Sequence, residues 1–224
     1  MKNNNTKPKE VNKIKTFQLA VDLIDLKTSL KLLDEVGEYI DIIELGTPLI
    51  ISEGLSIISV VKKLYPDKII FADLKIMDGG FVISDLAYKK GADMISVLGA
   101  ANDKTVEAVI DRSRKGNKMV LVDMCAVKNL QKRAKEIDIL APDYISVHRA
   151  SDMQSYVSDP LKDLKLIENI QSRIAVAGGI TLENFELVCQ SSVDNIIVGG
   201  GIYNSSNPKE ITAKMRDIID KYQE

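Results

Sequence analysis

Ionisable side chains in this sequence follow short apolar segments, and their types suit acid–base or metal chemistry. Four carboxylates lie within or at the end of segments rich in Val, Ile and Leu: Asp22, Glu44, Asp73 and Asp123. A further segment ends in His148, the one histidine of the chain, and Arg149 follows it. Imidazole exchanges protons near neutral pH. We therefore expect His148 to take part in catalysis or to contact the substrate, with Arg149 beside it.

The spacing Asp73-x-Lys75-x-x-Asp78 predicts a charged cluster after the third apolar segment. In an extended chain, positions i and i+2 point to the same side, so Asp73 and Lys75 would enter one space. Asp78 follows in the next loop, and we expect it near Lys75. A lysine between two carboxylates keeps its proton, because opposite charges favour the charged form. Its ammonium group would then stabilise an oxyanion or deliver a proton.

Glu44 and Asp73 belong to neighbouring apolar segments and suggest a metal site. Two carboxylates at one place repel each other unless a cation lies between them. Mg²⁺ binds carboxylate and water oxygens and shares its remaining positions with substrate. We predict Mg²⁺ at Glu44 and Asp73; the alternative is that Lys75 alone neutralises both. Cys125 and Cys189 have no evident base partner, and we expect small buried residues there.

Glycines follow the last two apolar segments, as Gly178-Gly179 and Gly199-Gly200-Gly201. Glycine lets the backbone approach an anion closely, and backbone N–H groups of such loops bind phosphate. We predict a small phosphorylated substrate held at Gly178, Gly179, Gly199 and Gly200; the alternative is tight turns without a ligand. A dinucleotide-binding fold is excluded, because no G-x-G-x-x-G follows the first segment.

Eight apolar segments alternate with stretches of helical period, and together they predict the fold. Near-continuous runs of β-branched residues are typical of parallel strands that are covered on both faces. The segments lie at 17–22, 39–45, 68–74, 93–99, 118–124, 143–148, 173–179 and 195–201. Eight strand–helix repeats indicate an α/β fold, a (β/α)8 TIM barrel with its active site at the carboxyl ends of the strands. The alternative is a doubly wound open sheet, which usually has fewer strands.

Composition narrows the classes of function. The 224 residues carry 30 Lys and Arg against 32 Asp and Glu, which argues against a nucleic-acid partner. No apolar run approaches the length of a membrane span. Two cysteines are too few for a disulfide framework, and with no secretory segment they predict a cytoplasmic protein. We expect a flexible polar tail over 1–15 and one catalytic barrel domain over 16–224.

The chain resembles the orotidine 5′-monophosphate decarboxylase superfamily from about residue 17 onward. The resemblance rests on LAVDLIDL (19–26), DIIELGTPLIISEG (41–54), FADLKIMDGG (71–80), VHRASDMQ (147–154), VAGGI (176–180) and IIVGGGI (196–202). It implies a homodimer with active sites at the interface, and metal ligands at Glu44 and Asp73. It also implies that Asp78 is donated across the dimer and that the glycine loops hold phosphate. Asp22, Lys75 and Asp123 would belong to the shared catalytic set.

Within that superfamily the resemblance implies a Mg²⁺-dependent aldolase. It would join formaldehyde reversibly to D-ribulose 5-phosphate through an enediolate, giving D-arabino-3-hexulose 6-phosphate. We expect His148 to remove the C1 proton, with Asp22 or Asp123 as alternative bases.

The residues distinguish that aldolase from three alternatives. Orotidylate decarboxylases carry a lysine where Glu44 stands, so the sequence excludes them. Decarboxylases of 3-keto-L-gulonate 6-phosphate typically carry arginines where this chain has Ser151 and Gly201, which favours the aldolase. A sugar-phosphate-binding barrel without catalysis is the third alternative, and it would not need the Asp-Lys-Asp set.

Overall fold

Eight parallel strands close in sequence order into a barrel in the computed structural model, which describes residues 15–150, 152 and 160–223. The predicted (β/α)8 barrel is thereby confirmed. The strands are β1 (Thr16–Val21), β2 (Ile42–Leu45), β3 (Ile69–Ile76), β4 (Met94–Leu98), β5 (Met119–Asp123), β6 (Tyr144–His148), β7 (Arg173–Ala177) and β8 (Asn195–Val198). The predicted tail lies outside the described residues except for Lys15, whose ammonium group donates to the carbonyls of Ser191 and Val193.

Helices follow the strands and cover the outside of the barrel. They are α1 (Leu26–Val36), α2 (Thr47–Glu53), α3 (Ser56–Leu64), α4 (Gly80–Lys89), α5 (Asp103–Lys115), α6 (Leu130–Asp138), α7 (Pro160–Lys165), α8 (Leu182–Cys189), α9 (Gly200–Tyr203) and α10 (Pro208–Asp220). Side-chain caps mark several starts: Asn207, for example, accepts the N–H of Glu210 ahead of Pro208. Among the described helices, none is both long and apolar enough to cross a membrane.

Both faces of the strands are buried, which explains their continuous apolar runs. One side chain from each strand forms an inner cluster: Ala20, Ile42, Phe71, Met94, Leu121, Tyr144, Ala175 and Ile197. Neighbouring strand residues such as Leu19 and Val21 belong to a larger cluster shared with the helices. Alternation along each strand therefore fills the barrel with one set of side chains and packs helices against the other.

An aspartate precedes every second strand and ties it to its neighbours at the amino-terminal rim of the barrel. The carboxylate of each accepts a backbone N–H of the preceding strand at 2.7–3.1 Å, in the pairs Asp41–Phe17, Asp93–Ile70, Asp143–Val120 and Asp194–Ile174. The carbonyl of each accepts an N–H at the start of the following strand or, for Asp194, of β1. The rim thus repeats every two strands, and this end stabilises the fold while the opposite end carries the site.

Element boundaries differ from the sequence predictions at both ends of the barrel. The predicted strand 39–45 is shorter, because Gly37–Tyr39 forms a 3-10 turn before β2. After this strand the sequence predicts one helix, over 53–64, and the structure adds helix α2 ahead of it. The last two strands end at Ala177 and Val198; Gly178 and Gly179 form the loop after β7, and Gly199 leads into α9, which begins at Gly200.

Candidate active site

The carboxyl ends of the strands surround a cavity of about 540 Å³, on the side where the sequence predicts the active site. Ten of the predicted site residues line it: Asp22, Glu44, Asp73, Lys75, Asp123, His148, Gly178, Gly179, Gly199 and Gly200. Asp78 and Arg149 do not line this cavity. The carboxylate of Asp78 is exposed and accepts the N–H of Gly79 at 2.7 Å, while the ion pairs of Lys75 within the described residues are with Asp73 and Asp123.

A bulge at the end of β3 brings Asp73 and Lys75 into the cavity. Ala72 pairs with Ile95 on β4, but the next pair is Ile76 with Val97, so β3 carries two extra residues. Lys75 lies within the bulge at φ +43°, in the left-handed region that costs free energy for a residue other than glycine. The two side chains converge because of this bulge, and not through the regular alternation on which the sequence prediction rested.

Hydrogen bonds fix the Asp73 carboxylate from three directions. The hydroxyl of Ser96 donates to Oδ1 at 2.6 Å, and its oxygen also accepts the N–H of Lys75 at 2.9 Å. The hydroxyl of Thr47, the first residue of α2, donates to Oδ2 at 2.9 Å. Lys75 Nζ lies 2.9 Å from the same Oδ2. Sequence reasoning missed Ser96 and Thr47, although a serine within an apolar strand is a usable signal.

Lys75 forms ion pairs with two buried carboxylates. Its Nζ lies 2.9 Å from Asp73 Oδ2 and 3.0 Å from Asp123 Oδ2. Burial by itself lowers the pKa of Lys75, but the charges of and hydrogen bonds to Asp73 and Asp123 outweigh it and raise that pKa. The predicted ammonium between two carboxylates is therefore present, with Asp123 as the second partner in place of Asp78.

Asp123 also orients the imidazole of His148. Nδ1 of His148 lies 2.8 Å from Oδ2 and 3.0 Å from Oδ1 of Asp123. Burial would raise the pKa of Asp123, but the hydrogen bond and charge of His148, and the charge of Lys75, lower it to about 2. An ionised carboxylate only accepts hydrogen bonds, so Nδ1 of the neutral ring carries the proton. The lone pair on Nε2 is then available for a base.

Glu44 is held by a chain of buried polar side chains in the barrel interior. The amide of Gln18 donates to Glu44 Oε2 at 2.5 Å, and the amide of Asn195 donates to Gln18 Oε1 at 2.6 Å. The hydroxyl of Thr16 donates to Asn195 Oδ1 at 3.0 Å. Gln18 and Asn195 are fully buried. Neither amide is predictable from the sequence, since a single polar residue in a strand does not show which neighbour it faces.

The carboxylates of the cavity outnumber its permanent cations. Among the described residues that line it, Lys75 is the one Lys or Arg, against four carboxylates. Burial raises the pKa of Glu44 well above its usual range, and the charges of Asp73 and Asp22 raise it further. Burial and Asp73 likewise raise the pKa of Asp22. This unbalanced negative charge, on oxygen donors alone, is the environment that a hard divalent cation occupies.

The predicted ligands do not form a compact three-residue metal cage. Within the described part of the chain, one group of three has its ligand atoms all within 4.8 Å of one another, and it is Asp123, Cys125 and His148. An ion at Glu44 and Asp73 would therefore draw its other ligands from water or substrate. Mg²⁺ commonly binds in that way, through one or two carboxylates. The donor set at Glu44 and Asp73 thus fits Mg²⁺.

Glycines line the part of the cavity that lies at the ends of β7 and β8. Gly178 and Gly179 adopt φ of +96° and +68°, and a Cβ on Gly178 would lie 2.4 Å from the carbonyl oxygen of Arg149. The loop after β8 leads directly into α9, so its N–H groups border the same space. Thr181 and Asn204 also line this end, and they bring neutral side chains beside the glycines. The arrangement suits an anionic group that is bound largely by backbone N–H.

Comparison with known proteins places the whole barrel in one group. The profile of the orotidine 5′-phosphate decarboxylase / HUMPS family matches residues 15–215. A 3-hexulose-6-phosphate synthase of Bacillus subtilis is 41% identical over 205 residues, which are 91% of this chain and 98% of that protein.

Solved structures extend the similarity to the fold. A 3-hexulose-6-phosphate synthase from Salmonella typhimurium superposes with a TM-score of 0.90 at 34% identity, over 92% of this chain and 99% of that one. A 3-keto-L-gulonate-6-phosphate decarboxylase from Vibrio cholerae superposes with a TM-score of 0.82 at 25% identity, over 93% and 98% of the two chains.

Proposed function

Because this chain belongs to the orotidine 5′-phosphate decarboxylase / HUMPS family, we propose that it catalyses the 3-hexulose-6-phosphate synthase reaction. In this aldehyde-lyase reaction, formaldehyde and D-ribulose 5-phosphate combine reversibly to D-arabino-3-hexulose 6-phosphate. The observation that carries the proposal is the Lys75 ammonium group between Asp73 and Asp123, with the His148 imidazole on the same Asp123. Those groups provide a base and a stabilised oxyanion site in one cavity.

His148 and Lys75 divide the chemistry between them. Nε2 of His148 removes the proton from C1 of ribulose 5-phosphate, and the electron pair forms an enediolate. The Lys75 ammonium stabilises the negative charge on the enediolate oxygen. C1 then attacks the formaldehyde carbon, and the protonated imidazole returns its proton to the new alkoxide. Asp123 supports this cycle, because its carboxylate stabilises the imidazolium between the two proton transfers.

Glu44 and Asp73 are the residues that would hold Mg²⁺. When bound, the ion supplies Lewis-acid polarisation of substrate oxygens. Gln18 orients Glu44 toward the cavity, and Ser96 and Thr47 do the same for Asp73. Because these donors come from the barrel wall, both carboxylates keep their positions without the ion.

The phosphate group would bind at the glycine loops. Gly178, Gly179, Gly199 and Gly200 line the cavity at the ends of β7 and β8, whereas Lys75 lies on β3. Their missing side chains let backbone N–H groups approach the phosphate oxygens. A five-carbon sugar phosphate then spans from these loops to His148, which fits a cavity of about 540 Å³.

A homodimer would complete the site. Large apolar side chains are exposed on the segments that follow β2 and β3, among them Ile51 (78%), Met77 (53%), Phe81 (53%) and Val82 (62%). An exposed apolar set of this kind is typical of a subunit interface. Asp78 lies within it, so a two-fold dimer through these segments would carry Asp78 to the partner's cavity.

Decarboxylation of 3-keto-L-gulonate 6-phosphate is the second candidate activity. The similarity of the Vibrio cholerae enzyme favours it, and the same His148 and Lys75 would serve its enediolate. Gly201 and Ser151 stand where such decarboxylases typically carry arginines, and Ser151 lies outside the described residues. These two positions favour the synthase reaction.

The deciding experiment offers each substrate to one enzyme preparation, with Mg²⁺ and after EDTA treatment. We expect formaldehyde-dependent loss of ribulose 5-phosphate that EDTA abolishes and Mg²⁺ restores. Carbon dioxide release from the gulonate substrate alone would favour the decarboxylase. Binding of both sugar phosphates without any turnover would instead indicate a non-catalytic barrel.

We also propose a cytoplasmic location, supported by the two unpaired cysteines.

A further inference from the structure

We propose that Asp123, Cys125 and His148 form an inhibitory binding site for a borderline or soft divalent ion such as Zn²⁺. The site is separate from Glu44 and Asp73. One ligand atom from each of the three residues lies within 4.8 Å of the other two. Cys125 has no part in the proposed reaction. The proposal that the ion binds does not depend on the proposed function, whereas the proposal that it inhibits rests on that function.

The fold holds these three ligands together before any ion binds. Asp123 ends β5 and pairs with Ser146 on β6, two residues before His148 at the end of that strand. The N–H of Cys125 donates to Asp123 Oδ1 at 2.9 Å, which turns the chain back toward the carboxylate. Ala126 follows at φ +61°, so the turn continues away from the strand. The ligand set is therefore built from two neighbouring strand ends and one tight turn.

The donor types select the ion. Thiolate, imidazole and carboxylate are the ligands that Zn²⁺ binds in a tetrahedral arrangement, with the fourth position left to water or substrate. Mg²⁺ takes oxygen ligands and does not favour sulfur, so it does not compete for this set. Lys75 Nζ lies beside Oδ2 of Asp123, whereas the backbone N–H of Cys125 donates to Oδ1, which puts the Cys125 residue on the Oδ1 side. The ion would therefore lie on the Oδ1 side, away from the ammonium group.

Binding of the ion would prevent His148 from acting as the base, because it would change the tautomer of the imidazole. Without the ion, Nδ1 of His148 carries the proton toward Asp123 and Nε2 holds the free lone pair. An ion on Nδ1 requires the lone pair there, so the single N–H of the neutral ring moves to Nε2. Thiolate is the ligating form of cysteine, so the proton of the Cys125 thiol leaves to solvent as the ion binds. The enzyme with bound ion then has no base at C1.

Co²⁺ is the probe for binding, because a thiolate ligand gives it a charge-transfer band in the near ultraviolet. We would add Co²⁺ in saturating Mg²⁺ to the wild type, to Cys125→Ala and to Cys189→Ala. Cys189 is the buried second cysteine and serves as the matched control. We expect the band in the wild type and in Cys189→Ala, and none in Cys125→Ala. No band in the wild type, or a band that persists in Cys125→Ala, overturns the site.

A zinc titration of activity, also in saturating Mg²⁺, tests the inhibition. We expect the Zn²⁺ concentration for half-inhibition to rise roughly tenfold or more in Cys125→Ala, since one ligand is lost. Each variant is compared with its own rate before zinc. Equal zinc sensitivity in all three proteins would mean that zinc acts at Glu44 and Asp73, and would overturn the inhibitory role. If neither sugar phosphate turns over, the proposed function fails while the cobalt experiment still decides the site.

Discussion

Glu44 carries a cost in stability that a neutral side chain would remove. It is buried beside Asp73 and Asp22, and burial and both charges raise its pKa well above the usual range. A carboxyl group whose pKa is raised in the folded state binds protons more tightly there, so the unfolding free energy falls as pH rises above about 4.5. The loss continues until the folded-state pKa is passed. At neutral pH the metal-free protein is therefore less stable than its fold allows.

Glu44→Gln should raise the melting temperature of the metal-free protein at neutral pH while it abolishes activity. Each kcal/mol recovered is worth roughly 2–4 °C in a domain of this size. The difference between variant and wild type should shrink toward pH 4, where Glu44 becomes protonated in both states. Mg²⁺ should raise the melting temperature of the wild type only. A variant that melts below the wild type at neutral pH, or that Mg²⁺ stabilises equally, would contradict this assignment.

His148 offers a clean test of the base, because it is the one imidazole in the chain. His148→Gln should reduce turnover roughly 10²–10⁴-fold, the usual contribution of a positioned base. The informative measurement is exchange of the C1 hydrogen of ribulose 5-phosphate in D₂O without formaldehyde, followed by NMR. We expect exchange in the wild type and none in the variant, with circular dichroism as the control for folding. Undiminished exchange in the variant would move the base to Asp22 or Asp123.

At the residue scale, the sequence identifies the reactive groups well. It identifies less well which of these groups contact one another. Strand ends identify Asp22, Glu44 and His148, because carboxyl ends of barrel strands share one rim. The partner of Lys75 was not predictable from local spacing: Asp123 is 48 residues away, whereas Asp78 is three. Asp123, and not Asp78, enters the cavity beside Lys75. This choice depends on the bulge in β3 and on the position of β5, neither of which has a local signal.

At the element scale, Gly46 connects β2 to α2 and leaves space for Asp22. Its φ of −62° suits any residue, so the glycine is needed for close approach alone. A Cβ there would lie 2.1 Å from Asp22 Oδ1 and 2.7 Å from the carbonyl oxygen of Val21. The sequence analysis did not single out Gly46, because a contact between neighbouring strand ends leaves no local pattern.

Gly46→Ala should displace Asp22 from the cavity and reduce turnover at least tenfold, a typical effect of small misplacement at a site. Gly37→Ala is the matched control: its φ is −60°, and its Cβ would meet only a side-chain carbon of Tyr65 at 3.6 Å. Turnover and melting temperature would be measured for both variants. Wild-type turnover in Gly46→Ala would show that the Asp22 position does not matter.

Elements can be predicted from the sequence where hydrophobic periodicity determines them. Prediction fails where tertiary contacts determine them. The eight strands appear as continuous apolar runs because both of their faces are buried. The bulge in β3 leaves no local pattern in the sequence, because the N–H of Lys75 within it donates to the side chain of Ser96 on another strand. Helix α2 was missed for a similar reason: Thr47 at its start is fixed by Asp73 rather than by a local cap.

At the scale of the whole molecule, the exposed apolar set around Asp78 supports the proposal that each active site combines residues of two chains. Met77 and Phe81 are each 53% exposed, and Asp78 between them does not line the cavity of its own chain. If Asp78 serves the partner's cavity, each active site combines one chain's Lys75 with the other chain's Asp78. A closed two-fold dimer places both sites in that relation at once.

Mixing two inactive variants tests this arrangement directly. Lys75→Ala and Asp78→Ala should each fold, form dimers and lack activity. In a mixed dimer, one site has lost both residues, while the other combines the Lys75 of one subunit with the Asp78 of its partner. Random reassociation makes about half of the dimers mixed, so recovered activity should approach roughly one quarter of wild type. Each variant reassociated with itself is the control. No recovery, with mixed dimers shown by mass spectrometry, would place Asp78 outside the shared site.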